Sequence, residues 1–454
     1  MLRPKVTILI LNPEYSKYSD VPVDPSTGKP ILVNLYSKQI YCSSLDITET
    51  KSGITGSFTT IRNKSDIKNG NKLNIKLEYK GVKESVTFVS GLVVVDVQVD
   101  SKYECIVKFM DEFQYYTQIT DFVPFSPSDE QKKFLNTNYG FSFSDNDVST
   151  AYKNNVKVND LLAYIKSLIE DKMYYHQKGD DIYQQIVDMS ESLLAPMSLK
   201  FNNKISDVVK ILNDNYFIDL YSTSYVSKYK YDFDSIFVPQ IIVETIAGLD
   251  AYCTLHSATL VDNINIIEDN LIKSNPLITP TCSVGIFKNK KTKDKPEIVE
   301  EYYAWFQNDG RATCTNDKNL LPTTKDLILD YGGNSYGGPI QLYNTVTIGN
   351  AESITTEKRK EYTINMLLSS EYFGYKGDLK TFNYGINITN AVLLQFNNFM
   401  RNNSKRVEND DIFKVQKNDR IPYMIEKITR EFSTNGLFMT IEPRGLISKC
   451  ENLK

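Results

Sequence analysis

A chain of 454 residues exceeds what one ordinary core holds, and its 41% apolar content is enough to fill roughly two to four domains. With 24% charged residues and a net charge of −4, it has neither the composition of a disordered chain nor the basic face of a tight nucleic-acid binder. No segment has the apolar length needed to cross a bilayer as a helix, so membrane insertion is not expected.

At the N-terminus, Arg3 and Lys5 lead into the apolar run Val6 to Leu11, which stops at Asn12-Pro13-Glu14. The run is too short for a signal-peptide core, and the expectation is synthesis and initial residence in a cytoplasm. Pro13, Pro22, Pro25 and Pro30 make residues 12–30 an extended loop, of the kind that reaches a neighbour.

Residues 1–125 are expected to form a first antiparallel β-domain. Leu45 and Ile47 begin a strand, and Gly53 and Gly56 punctuate the passage to Phe58. Leu73, Ile75, Leu77 and Tyr79 alternate with polar neighbours, the two-residue period of a half-buried strand. Val93, Val95, Val97 and Val99 repeat that period, as do Tyr103, Cys105, Val107 and Phe109, with Val94 and Ile106 out of phase. A three-residue loop at Asp100-Ser101-Lys102 would set Val99 against Tyr103, Val97 against Cys105, Val95 against Val107 and Val93 against Phe109. Five or six strands of this length can curl into a small barrel.

Residues 126–150 are polar and are expected to be a linker at the start of a mixed α/β region, 126–329. Leu161, Leu162, Ile165, Leu168 and Ile169 predict a helix with Asn159 or Asp160 as N-cap. Tyr183, Ile186 and Val187 suggest a second helix, and Ile205, Val208, Val209 and Leu212 a third, capped by Ser206. Lys288 to Glu301, interrupted by Pro296, is expected to be a solvated loop.

Strands return in residues 330–454. Asn435-Gly436 suits the centre of a primed turn, which would pair Thr434 with Leu437, Phe432 with Met439 and Arg430 with Ile441. Arg430 is then a charge on an otherwise apolar face. Ile421, Tyr423 and Ile425 alternate, Ile428 has the other parity, and a bulge at Glu426 or Lys427 would reconcile them. The predicted fold class is therefore α+β: two small antiparallel β-barrels with a mixed α/β region between them.

Little in the chain points to chemistry. Its two histidines, His176 and His256, offer no triad or multi-histidine metal set, and no nucleophile elbow, zincin or Walker pattern occurs. Six cysteines at 42, 105, 253, 282, 314 and 450 are spaced like buried free thiols. Asp145-Asn146-Asp147 begins like a calcium loop but lacks its Gly and final Glu. Tyr331-Gly332-Gly333 and Tyr336-Gly337-Gly338 lack the strand-then-helix setting of a phosphate loop, and are expected to be turns or a loop that orders against a partner. The 30 Tyr and single Trp fit an AT-rich genome better than a long sugar-binding cleft. No catalytic, cofactor-binding or metal-ligating residue is assigned, and no cofactor is expected.

The order of segments nevertheless resembles a known family. Ser85-Val-Thr-Phe-Val-Ser-Gly-Leu92, a valine strand, and Tyr103-Glu-Cys-Ile-Val-Lys-Phe-Met-Asp111 look like the first barrel of phage tail hub proteins. Phe88, Gly91, Asp111 and Phe113 stand at that family's characteristic places. Asn159 to Ile165 and Ile205 to Leu212 resemble its short helices, and Arg420 to Arg444 resembles the end of its second barrel. Residues 12–30 and 276–342 match nothing in it. The resemblance implies a homotrimer whose two barrels per chain alternate round a ring. Six similar barrels would face a sixfold tail tube, while threefold symmetry meets a central spike or tail-tip protein. The channel would pass the genome or a tape-measure protein, and type VI secretion and other contractile systems share the fold. A tail-tip protein that binds host glycans and a tail-associated hydrolase remain the alternative readings.

Overall fold

The computed structural model describes residues 4–13, 24–26, 36–61, 67–79, 86–99, 103–123, 127–143, 156–169, 202–216 and 420–446, with shorter pieces, mostly single strands, between 150 and 395. The architecture is α+β and dominated by antiparallel sheet. Strand β1 (Pro4–Leu11) is buried at every position from Val6 onward, which is why its sequence is a continuous apolar run rather than an alternation. It lies between β2 (Tyr36–Tyr41) and β5 (Lys72–Tyr79), antiparallel to both. Strands β3 (Ser44–Thr50), β4 (Gly53–Ile61), β6 (Val86–Val99) and β7 (Glu104–Asp111) complete this part, in the order β3-β4-β7-β6-β5-β1-β2.

The sheet does not stop at β3. The long C-terminal strand Arg420–Ser433 pairs antiparallel with it, followed by Gly436–Leu446, Leu379–Thr381 and Ile266–Asp269. Asn390–Gln395 and Thr259–Val261 branch from Arg420–Ser433, making a 13-stranded sheet among the described residues. Its path is open there, running from Ile266–Asp269 to β2. Residues from both ends of the chain share one core: Ile8, Ile47, Leu73, Val107 and Phe109 are grouped with Leu379, Ile428, Met439 and Ile441.

Both expected hairpins exist, with different registers. In the first, Val99 pairs with Cys105 and Val97 with Val107, so the loop is longer than three residues, and Tyr103 sits outside β7 at φ +66°. The register then shifts between Val94 and Asp96, so that Val94 faces Phe109. A strict alternation would have turned Leu92 and Val94 away from the core. The bulge lets both of them and, farther along, Val97 pack inward. The parity of β7 is as expected, with Cys105, Val107 and Phe109 buried and Ile106 exposed. Leu73, Ile75 and Leu77 are likewise buried on β5.

In the C-terminal hairpin Ser433 pairs with Gly436, Phe432 with Leu437 and Arg430 with Met439, each offset by two from expectation, so the faces are kept. Thr434 and Asn435 form the turn without positive φ, and the left-handed residue is Gly436 at φ +132°. Gly436 follows the turn rather than sitting in it, as in a turn closed by a glycine bulge. The expected bulge is present: the register shifts on either side of Ile425 and leaves Glu426 outside the ladder, with Ile425 and Ile428 both buried.

The polar stretch after residue 126 is not a linker. It holds helix α2 (Asp129–Tyr139), capped by a reciprocal Ser128–Gln131 box and ended by Gly140 at φ +69°. Its one buried residue, Leu135, explains why no apolar stripe announced it. Helix α1 (Glu112–Ile119) precedes it. Helices α3 (Val158–Ile169) and α4 (Ile205–Tyr216) match the predicted stripes but start earlier than their expected caps. Asn159, Asp160 and Ser206 therefore lie inside first turns, and at α4 Asp207 Oδ2 accepts the Lys204 N–H at 2.8 Å instead. The four helices bury Phe113, Leu135, Leu161, Ile165, Val208 and Leu212 in a second core. The segment expected to be a helix near Tyr183 is instead strand Tyr183–Gln185, and Ile186 and Val187 lie outside the described residues. The charge run is strand at both ends, Thr281–Lys288 and Glu297–Phe306, within a four-stranded sheet whose last strand is Gln341–Val346.

The observed parity is checked by two substitutions. Val107→Asp, which buries an unpaired charge, should cost more than about 3 kcal/mol in urea unfolding. Gln98→Asp, on the exposed side, should stay within about 0.5 kcal/mol. The turn assignment predicts that Gly436→Ala destabilises by about 1 kcal/mol or more, while Asn435→Ala costs less than Gly436→Ala.

Candidate functional site

Among the described residues no three His, Cys, Asp or Glu side chains are grouped to hold a metal ion, and no helix is long and apolar enough to cross a membrane. His176, His256, Asp145–Asp147 and Tyr331–Gly338 lie outside the described residues. Cys42, Cys105 and Cys314 are free thiols, and burial raises the Cys42 thiol to about 12, which makes it a poor nucleophile. Among the described residues, two buried polar clusters stand at joins between parts of the chain.

The first lies where β3 meets the Arg420–Ser433 strand. Leu45, Ile47 and Glu49 point inward from β3, and Ile428 and Arg430 from its partner. The register sets Ile428 opposite Glu49 and Arg430 opposite Ile47, so Glu49 and Arg430 are diagonal neighbours on one face. Arg430 Nη1 donates to Glu49 Oε2 at 2.9 Å, and both side chains have 0% exposure. The second amino group, Nη2, donates to the Ile386 carbonyl at 2.5 Å, and the Ile388 N–H donates to Glu49 Oε1 at 3.1 Å. One ion pair thus ties an N-terminal strand, a C-terminal strand and the 386–388 segment. The sequence had shown Arg430 only as an anomaly. Its partner was legible too, since Glu49 continues the inward period of Leu45 and Ile47.

The second cluster joins the sheet to α1. Asp111, last in β7, caps the helix by accepting the Gln114 N–H on Oδ1 at 2.7 Å. Its other oxygen accepts the Ile54 N–H at 2.7 Å, across 57 residues. Gly53, at φ +122°, makes the approach possible: a Cβ there would stand 2.5 Å from Asp111 Oδ2. Next to it Glu112 is buried, with Lys72 Nζ 2.7 Å from Oε1. The Lys72 ammonium also lies 5.6 Å from the centroid of the Tyr116 ring. Burial pushes Asp111 up to about 7, against the pull of its N–H donors. Gly91, singled out in the sequence with Phe88, Asp111 and Phe113, forms a bulge at φ +73°, its N–H donating to Asn74 Oδ1 at 3.3 Å.

At the rim where β4 and β6 end and β7 begins, Tyr103 is 81% exposed and Ile61 73% exposed, and Val99 and Ile106 are exposed as well. Ile61, opposite Glu104, shares the outer face with Ile106, whereas Val99, opposite Cys105, lies on the other face.

Removing one member of the Glu49–Arg430 pair strands a buried charge. Arg430→Met or Glu49→Met alone should lower stability by about 3–5 kcal/mol, and the Glu49→Met/Arg430→Met double variant by much less than the sum. Denaturant unfolding of the two Met single variants and the double variant, as a cycle, checks the coupling.

No family model matches the chain, and no curated protein matches it in sequence. Solved structures similar to it include the 43 kDa tail protein of prophage MuSo2 from Shewanella oneidensis, at 10% identity and TM-score 0.46, covering 97% of this chain and 98% of that one. A tail protein from Neisseria meningitidis MC58 is similar at 9% identity and TM-score 0.44, over 97% and 96% of the two chains. The Francisella PdpA-VgrG complex, half-lidded, is similar at 12% identity and TM-score 0.47, over 98% of this chain and 58% of that one.

Proposed function

We propose that this chain is a non-enzymatic structural subunit of a phage tail, of the baseplate-hub kind, assembled in the host cytoplasm and resident in the virion tail. The observation that carries the reading is the order of its parts. A bulged Phe88-to-Gly91 strand leads to a hairpin returning to Asp111, an Asp-capped helix, three further short helices and a closing hairpin. In this reading residues 1–125 and 330–454 form two look-alike barrels, and residues 126–329 lie toward a spike or the periphery. The contact between barrels within a chain is the β3 to Arg420–Ser433 seam.

Three copies then present six similar β-units to a sixfold tail tube, and threefold symmetry to a central spike or tail-tip protein. The interface is heterologous and must close. The ring leaves a channel for the genome or a tape-measure protein. A chain of net charge −4, with no basic cluster that is long or mixed with aromatics, suits passage of nucleic acid rather than tight binding to it. The exposed rim around Tyr103 and Ile61 is a surface that such a ring can cover.

Native mass spectrometry of the purified chain should show a trimer, or a monomer that trimerises when spike or tube protein is added. A stable dimer indifferent to both would refute the hub. In a solved ring, superposing residues 39–125 on the strands drawn from 330–446 should need a rotation near 60° about the ring axis.

A further inference from the structure

The junction of sheet and α1 holds two adjacent buried carboxylates, Asp111 and Glu112, and one lysine. Lys72 lies against Glu112; Asp111 is met instead by the backbone N–H groups of Ile54 and Gln114. In the same notch Gln114 Oε1 is buried and has no hydrogen-bond partner. Gln114 Cδ and Asp111 Oδ2 both border the space over Gly53, 3.3 and 2.5 Å from where a Cβ would stand. The two side chains border one space, and a buried acceptor left without a hydrogen there costs about 1–3 kcal/mol.

We propose that Asp111 is a proton-held joint: in the folded protein it keeps its carboxyl proton, offers it to Gln114 Oε1, and the fold loses stability when the proton leaves. The proton departs to solvent, and the carboxylate left behind is a buried charge with no cation of its own. Among the described residues, the titratable groups packed round it are Glu112 and Tyr116 of α1 and Lys72 of β5. Gly53 and Ile54 of β4, and Leu92 opposite Asp111 on β6, carry none. Burial, and then the neighbouring Glu112 charge, hold the Asp111 proton up to about 7 from an ordinary 3.8. Between those values the folded state binds a proton that the unfolded chain releases. The stabilisation is therefore complete below about 4 and is lost as pH rises through about 7. The loss is one of overall stability: the two N–H bonds themselves favour the carboxylate, and the cost is that of an unpaired buried charge.

The test uses the full chain labelled with ¹³C-carboxyl aspartate and isotope-edited infrared spectra between about pH 5 and pH 9. The expected result is one protonated aspartate band at pH 6 that disappears near neutrality and is missing in Asp111→Asn. Over the same range the wild-type melting temperature should fall by a few degrees, while that of Asp111→Asn holds steadier. If Asp111→Asn does not fold, Gln114→Met supplies the assignment: without its acceptor the band should vanish at lower pH. A folded wild type whose aspartates are all ionised at pH 6 would overturn the proposal, and would mean that the Gln114 amide is turned to donate to a carboxylate. A pH 6 band unchanged by either substitution would overturn it equally. None of these readouts depends on trimerisation or on any tail partner.

Discussion

The buried pair of Glu49 and Arg430 is the constraint on which the rest of this fold depends. Two charges taken fully out of water are costly, and their attraction offsets that cost only when the remaining donors and acceptors are also met. Here they nearly all are, by the Ile386 carbonyl and the Ile388 N–H. The pair therefore demands that three remote stretches of chain arrive together, in one register. A slip of the Arg420–Ser433 strand by one residue would turn Arg430 to the opposite face and leave Glu49 alone in an apolar core. Hydrophobic burial supplies most of the stabilisation of the sheet, but it is indifferent to small changes of register between two apolar faces. The ion pair is not, and it makes the join specific.

That division of labour explains what could be read from the sequence. Alternation on β5 and β7 was legible because one face packs on the core and the other meets solvent. The stripes of α3 and α4 were legible for the same reason at helical period. Alternation failed where both faces are covered, as on β1, and where a bulge changes the phase, as at Val95. The registers of both hairpins were missed because they were inferred from apolar pairing and turn preference alone. In the C-terminal case the deciding term is where a positive φ is needed, and that is one residue after the turn, at Gly436. Helix α2 is written in its caps rather than in a stripe, and Ser128, Gln131 and Gly140 were all visible.

The two buried clusters also differ in kind. Glu49 has a guanidinium for partner, and its charge is answered inside the protein. Asp111 has N–H groups and the start of a short helix, whose partial charge answers less than a full ion does. Gly53 completes that arrangement by having no side chain, so that Asp111 reaches the Ile54 N–H directly. An Asp at the end of β7 thus does two jobs, closing a strand and starting a helix. An Asn would keep one acceptor and turn a donor toward one of the two N–H groups. A Glu would need room that the notch over Gly53 does not have.

Both joins follow from one feature of the topology. The chain leaves the sheet at Asp111, adds short strands to it at Thr259–Val261, Ile266–Asp269, Leu379–Thr381 and Asn390–Gln395, and lies beside β3 from Arg420 onward. The stretches between these strands can vary in length at little cost, because loop-closure entropy grows only slowly with the length enclosed. Fixing the joins takes local, directional interactions rather than further apolar area, and buried polar contacts are the directional ones available. The sheet with its two polar joins is therefore the part of the fold whose geometry is held fixed, and the stretches outside it can change in length without moving either join.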